Sequence, residues 1–257
     1  MSEPVKLERS EDGRVATLKL DRPPLNILDL EMIAALEEQL ADLKRDKSLQ
    51  ILVLRGAGGR AFSAGVSVQD HTPDKVESML QGLHGAIRKL VDSDAATIAV
   101  VSGHCLGGGM EVALACDLVL AEADAKFGQP EIKLGCYPPV AAALYPRRIG
   151  PGRTLEMLLS GRNVSCEEAE RLGLVHWRVP AAELDGKLAE ILGDFLQWST
   201  PVARLAKRAV RAGRDLPFHE ALDAAEHFYL DDLAETEDMA EGIQAFLDKR
   251  PPVWKHR

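Results

Sequence analysis

The chain has 257 residues and a mass of 28.0 kDa, enough for one large domain or for a core with a small appendage. Its formal net charge is −9, and no basic block is long enough to follow a nucleic-acid backbone, so we expect no nucleic-acid partner. The apolar run 112–121 is interrupted by Asp117 and is too short to cross a bilayer. The first thirteen residues lack the apolar segment of a secretory signal, which predicts a cytoplasmic protein without a membrane partner.

The cysteines and the basic C-terminal end carry little functional signal. The four cysteines form no C-x-x-C pair, and reduced thiols are expected. The basic residues of the tail are interpreted as a solvated end or as one arm of a subunit contact; they are Lys249, Arg250, Lys255, His256 and Arg257.

The first part of the chain alternates between strand and helix patterns. The predicted elements are strands at 5–8 and 15–20, a helix at 30–44 capped by Asp29, a strand at 51–54, a glycine-rich loop at 56–65, a helix at 74–90, a strand at 97–101, a helix within 106–116 and a strand at 118–121. Such alternation is typical of the α/β class.

After about residue 150 the pattern becomes helical almost throughout. Ser165 can cap a short helix at 167–172, with Glu168 three residues later as in a capping box. Longer helices are predicted at 182–197, at 201–212 and over parts of 218–247. We therefore divide the chain into an α/β core, residues 1–197, which holds the active site, and a helical C-terminal region, residues 198–257.

A glycine triplet, 107–109, follows a predicted buried strand and opens a helix. Glycines let a ligand approach the backbone, and the start of a helix offers unpaired N–H groups to an anion. A tight turn packed against a neighbour is the structural alternative. Glu111 lies one turn into this helix among apolar side chains, where a lone carboxylate is costly. It indicates either a functional acid or a hidden ion pair.

A second carboxylate, Glu131, follows 131 − 111 = 20 residues downstream. Taken alone, Glu131 is interpreted as a surface glutamate. Its interest depends on a pairing with Glu111, because two carboxylates in one apolar pocket have their pKa values pushed apart. Such a pair supplies one acid and one base.

A second glycine loop, 56–65, formally matches the G-x-G-x-x-A variant of a dinucleotide fingerprint. A nicotinamide oxidoreductase therefore stays open as an alternative. The segment 62–68 does not resemble the start of a helix, which favours a loop whose backbone N–H groups point into a cleft. His104, beside the glycine triplet, is either a pocket residue or a hydrogen-bonded core histidine. No G-x-S-x-G, H-E-x-x-H or Walker A motif occurs.

Three segments together resemble the enoyl-CoA hydratase (crotonase) family: 61–66, 103–117 and 126–131. The segments 22–26 and 160–175 are similar to further parts of that family, so the resemblance covers nearly the whole chain. It implies a crotonase-like spiral of ββα units with a helical C-terminal trimerisation region. It also implies acyl-CoA substrates, no metal or redox cofactor, and self-association as a trimer or a dimer of trimers.

The resemblance also assigns roles to residues. The catalytic pair corresponds to Glu111, which would activate water in its ionised form, and Glu131, which would deliver or relay the proton. Family members that hydrate have both carboxylates, whereas those that isomerise, decarboxylate or hydrolyse often lack one. The oxyanion hole corresponds to the N–H groups of Val66 and Gly108. The residues implied in substrate or CoA binding are Pro24, Leu25, Ala64, Val66, Ser67, Val68, Gln69 and Gly108.

Two departures from the family pattern bear on the substrate. The segment 137–143 replaces a Pro-Gly-x-Gly-Gly stretch near the acyl pocket, and Ser67 replaces an acid. Together with 23–28, the first departure is similar to hydratases of anaerobic aromatic degradation that act on cyclohexa-1,5-diene-1-carbonyl-CoA. Three alternatives remain open: a general enoyl-CoA hydratase, an enoyl-CoA isomerase of fatty-acid breakdown, and a non-catalytic acyl-CoA binding protein.

Overall fold

The structure, a computed structural model, describes residues 3–257. Its larger sheet has six strands, which are, in spatial order, β1 (Val5–Arg9), β2 (Val15–Leu20), β3 (Ile51–Gly56), β5 (Ala96–Val101), β7 (Leu118–Glu122) and β10 (Trp177–Val179). The β1–β2 pair is antiparallel and every later pair is parallel.

A smaller sheet is built from strands of three residues each. In spatial order they are β4 (Ala61–Ser63), β6 (His104–Leu106), β8 (Lys126–Gly128) and β9 (Asn163–Ser165). Each of β3, β5 and β7 is followed directly by a strand of this smaller sheet, and a helix comes next along the chain. This repetition is the ββα spiral that was predicted.

The helices account for most of the remaining chain. They are α1 (Leu30–Arg45), α2 (Val76–Val91), α3 (Gly108–Ala115), α4 (Pro139–Leu144), α5 (Pro146–Ser160), α6 (Cys166–Arg171), α7 (Leu184–Leu196), α8 (Thr200–Gly213), α9 (Phe218–His227), a π-helical turn (Phe228–Leu233) and α10 (Glu237–Leu247). Asp29 and Ser165 cap α1 and α6 as predicted, each accepting a hydrogen bond from a backbone N–H. Between residues 3 and 257, no helix is long and apolar enough to cross a membrane.

Short strands account for most of the errors in the predicted elements, and α4 was also not predicted. The predicted loop 56–65 contains β4, and a 3₁₀ turn (Val68–His71) rather than an α-helix follows it, so the dinucleotide fingerprint is wrong. The stretch after residue 150, predicted to be nearly all helix, contains β9 and β10. Strands of three residues are too short to show a periodic pattern, and only their partners in the sheet define them.

The larger sheet is covered on both faces, as parallel sheets require. One face belongs to the main apolar core, together with α1, α2 and α3. The opposite face packs against α7 through Leu184, Leu188 and Ile191. All eight residues of α3 are buried, which confirms the burial predicted from its apolar sequence. The four cysteines are free thiols.

The C-terminal region is attached to the core by polar contacts. Three cationic side chains of α8 donate to backbone carbonyls before β3 and β5: Arg204 to Asp46 at 2.8 Å, Lys207 to Ala95 at 2.7 Å and Arg211 to Ser93 at 3.0 Å. In the basic tail, Lys255 and Arg257 pair with Glu237 on α10. The domain boundary at residue 197 stays a prediction.

Candidate active site

A cavity of about 590 Å³ opens between α2, the start of α3 and the segment that leads into α4. Its volume lies within the range of about 300–1,000 Å³ that is common for small-molecule sites. The lining is mainly apolar and includes both predicted acids; its residues are Ala64, Gly65, Val66, Val68, His71, Val76, Met79, Leu80, Leu83, Gly107, Gly108, Glu111, Pro130, Glu131, Lys133, Leu134, Gly135, Cys136, Tyr137, Pro138 and Pro139.

The floor of this cavity is backbone, where two glycine-containing segments meet. Gly65 has a φ of 107° and Gly107 a φ of 53°, conformations that favour glycine. A methyl group on Gly108 would lie 2.6 Å from Val66 Cγ2. Because the segments approach so closely, a side chain here would fill the space that the backbone leaves to a ligand.

The N–H groups of Val66 and Gly108 lie on either side of the same gap. A Cβ built on Gly65 would be 3.8 Å from the Gly108 nitrogen, and one built on Gly108 would be 3.7 Å from the Val66 nitrogen. Neither N–H donates to an acceptor within residues 3–257. Gly108 is also the first residue of α3, where the helix dipole is positive. Two free donors around one gap suit a developing oxyanion.

The early loop, residues 22–28, runs beside these donors. Leu25 O accepts from Ala64 N at 2.9 Å, and Leu28 N donates to Gly65 O at 3.0 Å. The predicted CoA-contact residues divide into two groups. Those that line the cavity are Ala64, Val66, Val68 and Gly108, whereas those on the adjoining segments outside the lining are Pro24, Leu25, Ser67 and Gln69.

Glu111 lies on α3 with 2% of its surface exposed. Its Oε1 accepts a hydrogen bond from Ala141 N at 2.9 Å. Burial raises the pKa of Glu111 to about 7, and the nearby charge of Glu131 acts in the same direction, against the Ala141 and Val140 N–H groups. No cation within residues 3–257 pairs with it, so the ion-pair alternative is wrong.

Glu131 reaches the same cavity from a 3₁₀ turn, Pro130–Leu134. A Cβ built on Gly107 would lie 2.7 Å from Glu131 Oε1, which places the carboxylate directly over the glycine triplet. Burial raises the pKa of Glu131 to about 7. The two glutamates therefore face one apolar cavity, and both pKa values are raised to about 7 rather than pushed apart. Their individual roles stay predictions.

Three features of the site were not singled out from the sequence. The first is the Ala141 N–H that bonds Glu111. The others are Gln129 and Tyr145, both fully buried, whose amide and hydroxyl are 2.5 Å apart behind Glu131. Gln129 could have been noticed from its place two residues before Glu131. No pattern in the sequence pointed to Tyr145, because a single aromatic residue among apolar residues is typical of a hydrophobic core.

His104 takes no part in the site. It is exposed on β6 and does not line the cavity, so both interpretations of it are wrong. Successive strand residues point to opposite faces. Since Cys105 points into the core, its neighbour His104 points away from it.

Comparison with known proteins agrees with this geometry. The enoyl-CoA hydratase/isomerase family matches residues 10–257. A cyclohexa-1,5-dienecarbonyl-CoA hydratase from Thauera aromatica is 38% identical over 257 residues, covering 100% of this chain and 98% of the relative. A probable enoyl-CoA hydratase from Mycobacterium bovis is 34% identical over 258 residues and covers 99% of both chains.

A solved structure also matches. The crystal structure of an enoyl-CoA hydratase from Bacillus anthracis superimposes with a TM-score of 0.93 at 29% identity, covering 99% of this chain and 100% of that one. The chain is therefore an enzyme of the enoyl-CoA hydratase/isomerase family, with the crotonase fold.

Proposed function

We propose that this enzyme adds water across a carbon–carbon double bond conjugated to a coenzyme A thioester. The observation that carries the proposal is the placement of two carboxylates, the buried Glu111 and the half-buried Glu131, in the cavity whose floor holds the free N–H groups of Val66 and Gly108. Hydration needs a base, an acid and an oxyanion site within reach of one another. All three are available here.

The chemistry then follows from the charges. Ionised Glu111 takes a proton from water as the water oxygen bonds to the β carbon of the substrate. The π electrons move toward the thioester oxygen, where the N–H groups of Val66 and Gly108 stabilise the enolate. Protonated Glu131 supplies the proton that completes the addition. Two carboxyl groups with pKa values near neutrality can exchange protons with modest free-energy cost.

For the acyl group, we propose the cyclic diene of cyclohexa-1,5-diene-1-carbonyl-CoA. Support comes from the Thauera relative, which carries that substrate in its name, and from the lining. Apolar side chains of α2, among them Met79 and Leu83, face Pro138 and Pro139 across the cavity. In this substrate the hydroxyl adds at the β carbon and the proton at the γ carbon, through a dienolate. The product is a hydroxycyclohexene thioester.

We propose that the CoA part binds along the segments 64–69 and 24–25 and that no metal or redox cofactor takes part. Self-association as a trimer or dimer of trimers, a cytoplasmic location and a place in anaerobic aromatic degradation complete the proposal. The exposed apolar side chains of the C-terminal region favour self-association.

The test is isotopic. The pure protein is incubated with cyclohexa-1,5-diene-1-carbonyl-CoA or with crotonyl-CoA, in water enriched in ¹⁸O or deuterium, and the products are followed by mass spectrometry and NMR. We expect one ¹⁸O per cyclic product, with deuterium at the γ carbon. Label entering crotonyl-CoA instead would indicate a general enoyl-CoA hydratase.

Two further outcomes would overturn hydration. A shifted double bond that gains deuterium without ¹⁸O would indicate an isomerase. Binding of both thioesters without conversion, unchanged in Glu111→Gln, would indicate a non-catalytic acyl-CoA binding protein.

A further inference from the structure

Two polar side chains lie behind Glu131, away from the cavity. Gln129 and Tyr145 are both fully buried and are absent from the cavity lining. Within residues 3–257, the Tyr145 hydroxyl has one hydrogen-bond partner, the Gln129 amide, at 2.5 Å. Buried polar groups are normally satisfied, so this pair requires an account.

The donors and acceptors decide which way the amide points. With its nitrogen toward Tyr145, the Gln129 oxygen would face the Glu131 carboxylate, and the tyrosine O–H would have no acceptor. With the nitrogen toward Glu131, it lies 3.0 Å from Oε1 and 3.1 Å from Oε2, and the amide oxygen accepts from the Tyr145 hydroxyl. The second orientation satisfies every group. The hydroxyl of Tyr145 therefore sets the orientation of the Gln129 amide.

We propose that Tyr145 and Gln129 are positioning residues that keep the proton of Glu131 free for transfer to the substrate. The inference rests on the proposed function, in which protonated Glu131 is the acid. With an N–H facing it, protonated Glu131 has no acceptor behind it, so its O–H is directed to the cavity.

Removing the Tyr145 hydroxyl would remove the hydrogen bond that orients the Gln129 amide. The amide could then rotate, and its oxygen would accept the O–H of protonated Glu131 and hold the proton away from the substrate. Ionised Glu131 would at the same time lose a donor. Both changes favour the protonated form and raise the pKa of Glu131 further. The predicted signature is slower proton delivery together with a carboxyl group that ionises at higher pH.

The kinetic test uses Tyr145→Phe, which removes one oxygen and keeps the ring. Hydration needs ionised Glu111 and protonated Glu131, so its pH profile is bell-shaped. We expect kcat to fall about tenfold, a part of the roughly 10²–10⁴ that acid–base catalysis supplies, with KM unchanged. The basic limb should move to higher pH. The matched control is Tyr229→Phe, an exposed tyrosine of the C-terminal region, which should change neither quantity.

A double-mutant cycle separates positioning from packing. Gln129→Met removes the amide and keeps the length of the side chain. If Tyr145 acts through Gln129, adding Tyr145→Phe to Gln129→Met should cause no further shift of the basic limb. Full additivity of the two losses would show that Tyr145 acts by packing alone, and would overturn the proposal.

A measurement without substrate keeps the inference separate from the proposed function. The carboxyl carbon of Glu131 is titrated by NMR in ¹³C-glutamate-labelled protein and assigned with Glu131→Gln. We expect the pKa of Glu131 to be higher in Tyr145→Phe than in the wild type. If both proteins are folded and the pKa of Glu131 is the same in Tyr145→Phe as in the wild type, the positioning role of Tyr145 is refuted. Failure of the wild type to hydrate either thioester would instead refute the proposed function.

Discussion

The core and the C-terminal region bury apolar side chains to very different extents. Between residues 3 and 197 most large apolar side chains are enclosed by the two sheets and their helices. In residues 198–257 the buried apolar side chains are Leu205 and Ala245. The same region exposes Trp198, Val210, Leu216, Phe218, Leu222, Tyr229, Leu230, Ile243, Phe246, Leu247 and Val253.

This difference indicates that the two regions have separate roles. The core has enough enclosed apolar surface to hold the cavity with the buried Glu111 and the half-buried Glu131. The C-terminal region is attached by charged side chains of α8 that donate to backbone carbonyls, and many of its large apolar side chains are exposed. Large exposed apolar patches mark interaction surfaces. Substitutions in the core should therefore change catalysis, whereas substitutions in the C-terminal region should change assembly.

The largest effect on kcat is expected for Glu131, the proposed general acid. Glu131→Gln should lower kcat of hydration about 10³-fold, since general acid–base catalysis contributes roughly 10²–10⁴. The thermal midpoint should stay close to that of the wild type, because glutamine has the same shape. Glu235→Gln, an exposed site in the C-terminal region, is the control and should keep full activity. Near-normal turnover in Glu131→Gln would rule out the two-glutamate mechanism.

A smaller loss is expected at the oxyanion site. Gly108→Ala would place a methyl group 2.6 Å from Val66 Cγ2 and push the two donors apart. We expect kcat to fall about 10²-fold, the lower end of the cost of losing one such donor. Gly193→Ala on α7 meets no atom within 4 Å and should leave the rate unchanged. Equal rates in both variants would show that this backbone approach is not needed for catalysis.

Burial of Glu111 should appear in the pH dependence of stability. Its folded pKa of about 7 lies above the ordinary 4.5, so its stabilising contribution is complete below about pH 4.5 and is lost as pH rises through 7. At pH 8 the buried charge costs up to about 3 kcal/mol. Glu111→Gln should therefore raise the free energy of unfolding at pH 8 but not at pH 4.5, by urea titration. A stability change of the same size at both pH values would contradict this account.

On the C-terminal surface a change in assembly is expected, without an effect on the chemical step. Phe246, 84% exposed on α10, is replaced by Asp, which removes about 1.5–3 kcal/mol of apolar burial if a second copy covers it. We expect a lower molar mass in light scattering at low protein concentration. Leu159→Asp, at a 67% exposed position of the core, is the matched control. A lower molar mass for Leu159→Asp but not for the Phe246 variant would place the contact surface on the core instead.

Local sequence patterns predicted most of the long elements. The spacing of apolar residues located α1, α2 and β2 to within two residues, and Asp29 and Ser165 marked helix starts correctly. Each of these signals depends on residues within one or two turns of chain. The three-residue strands β4, β6, β8, β9 and β10 were missed, because their hydrogen bonds go to distant segments.

The sequence by itself determined the family, the burial of Glu111 and the glycine-rich start of α3, since each depends on neighbours along the chain. Only the tertiary structure decided that Glu131 lies over Gly107, that Ala141 N–H bonds Glu111, and that His104 faces away. It also decided that Tyr145 lies against Gln129, 16 residues away in sequence. These features depend on segments that are distant along the chain, and only the packing of the folded chain brings those segments together.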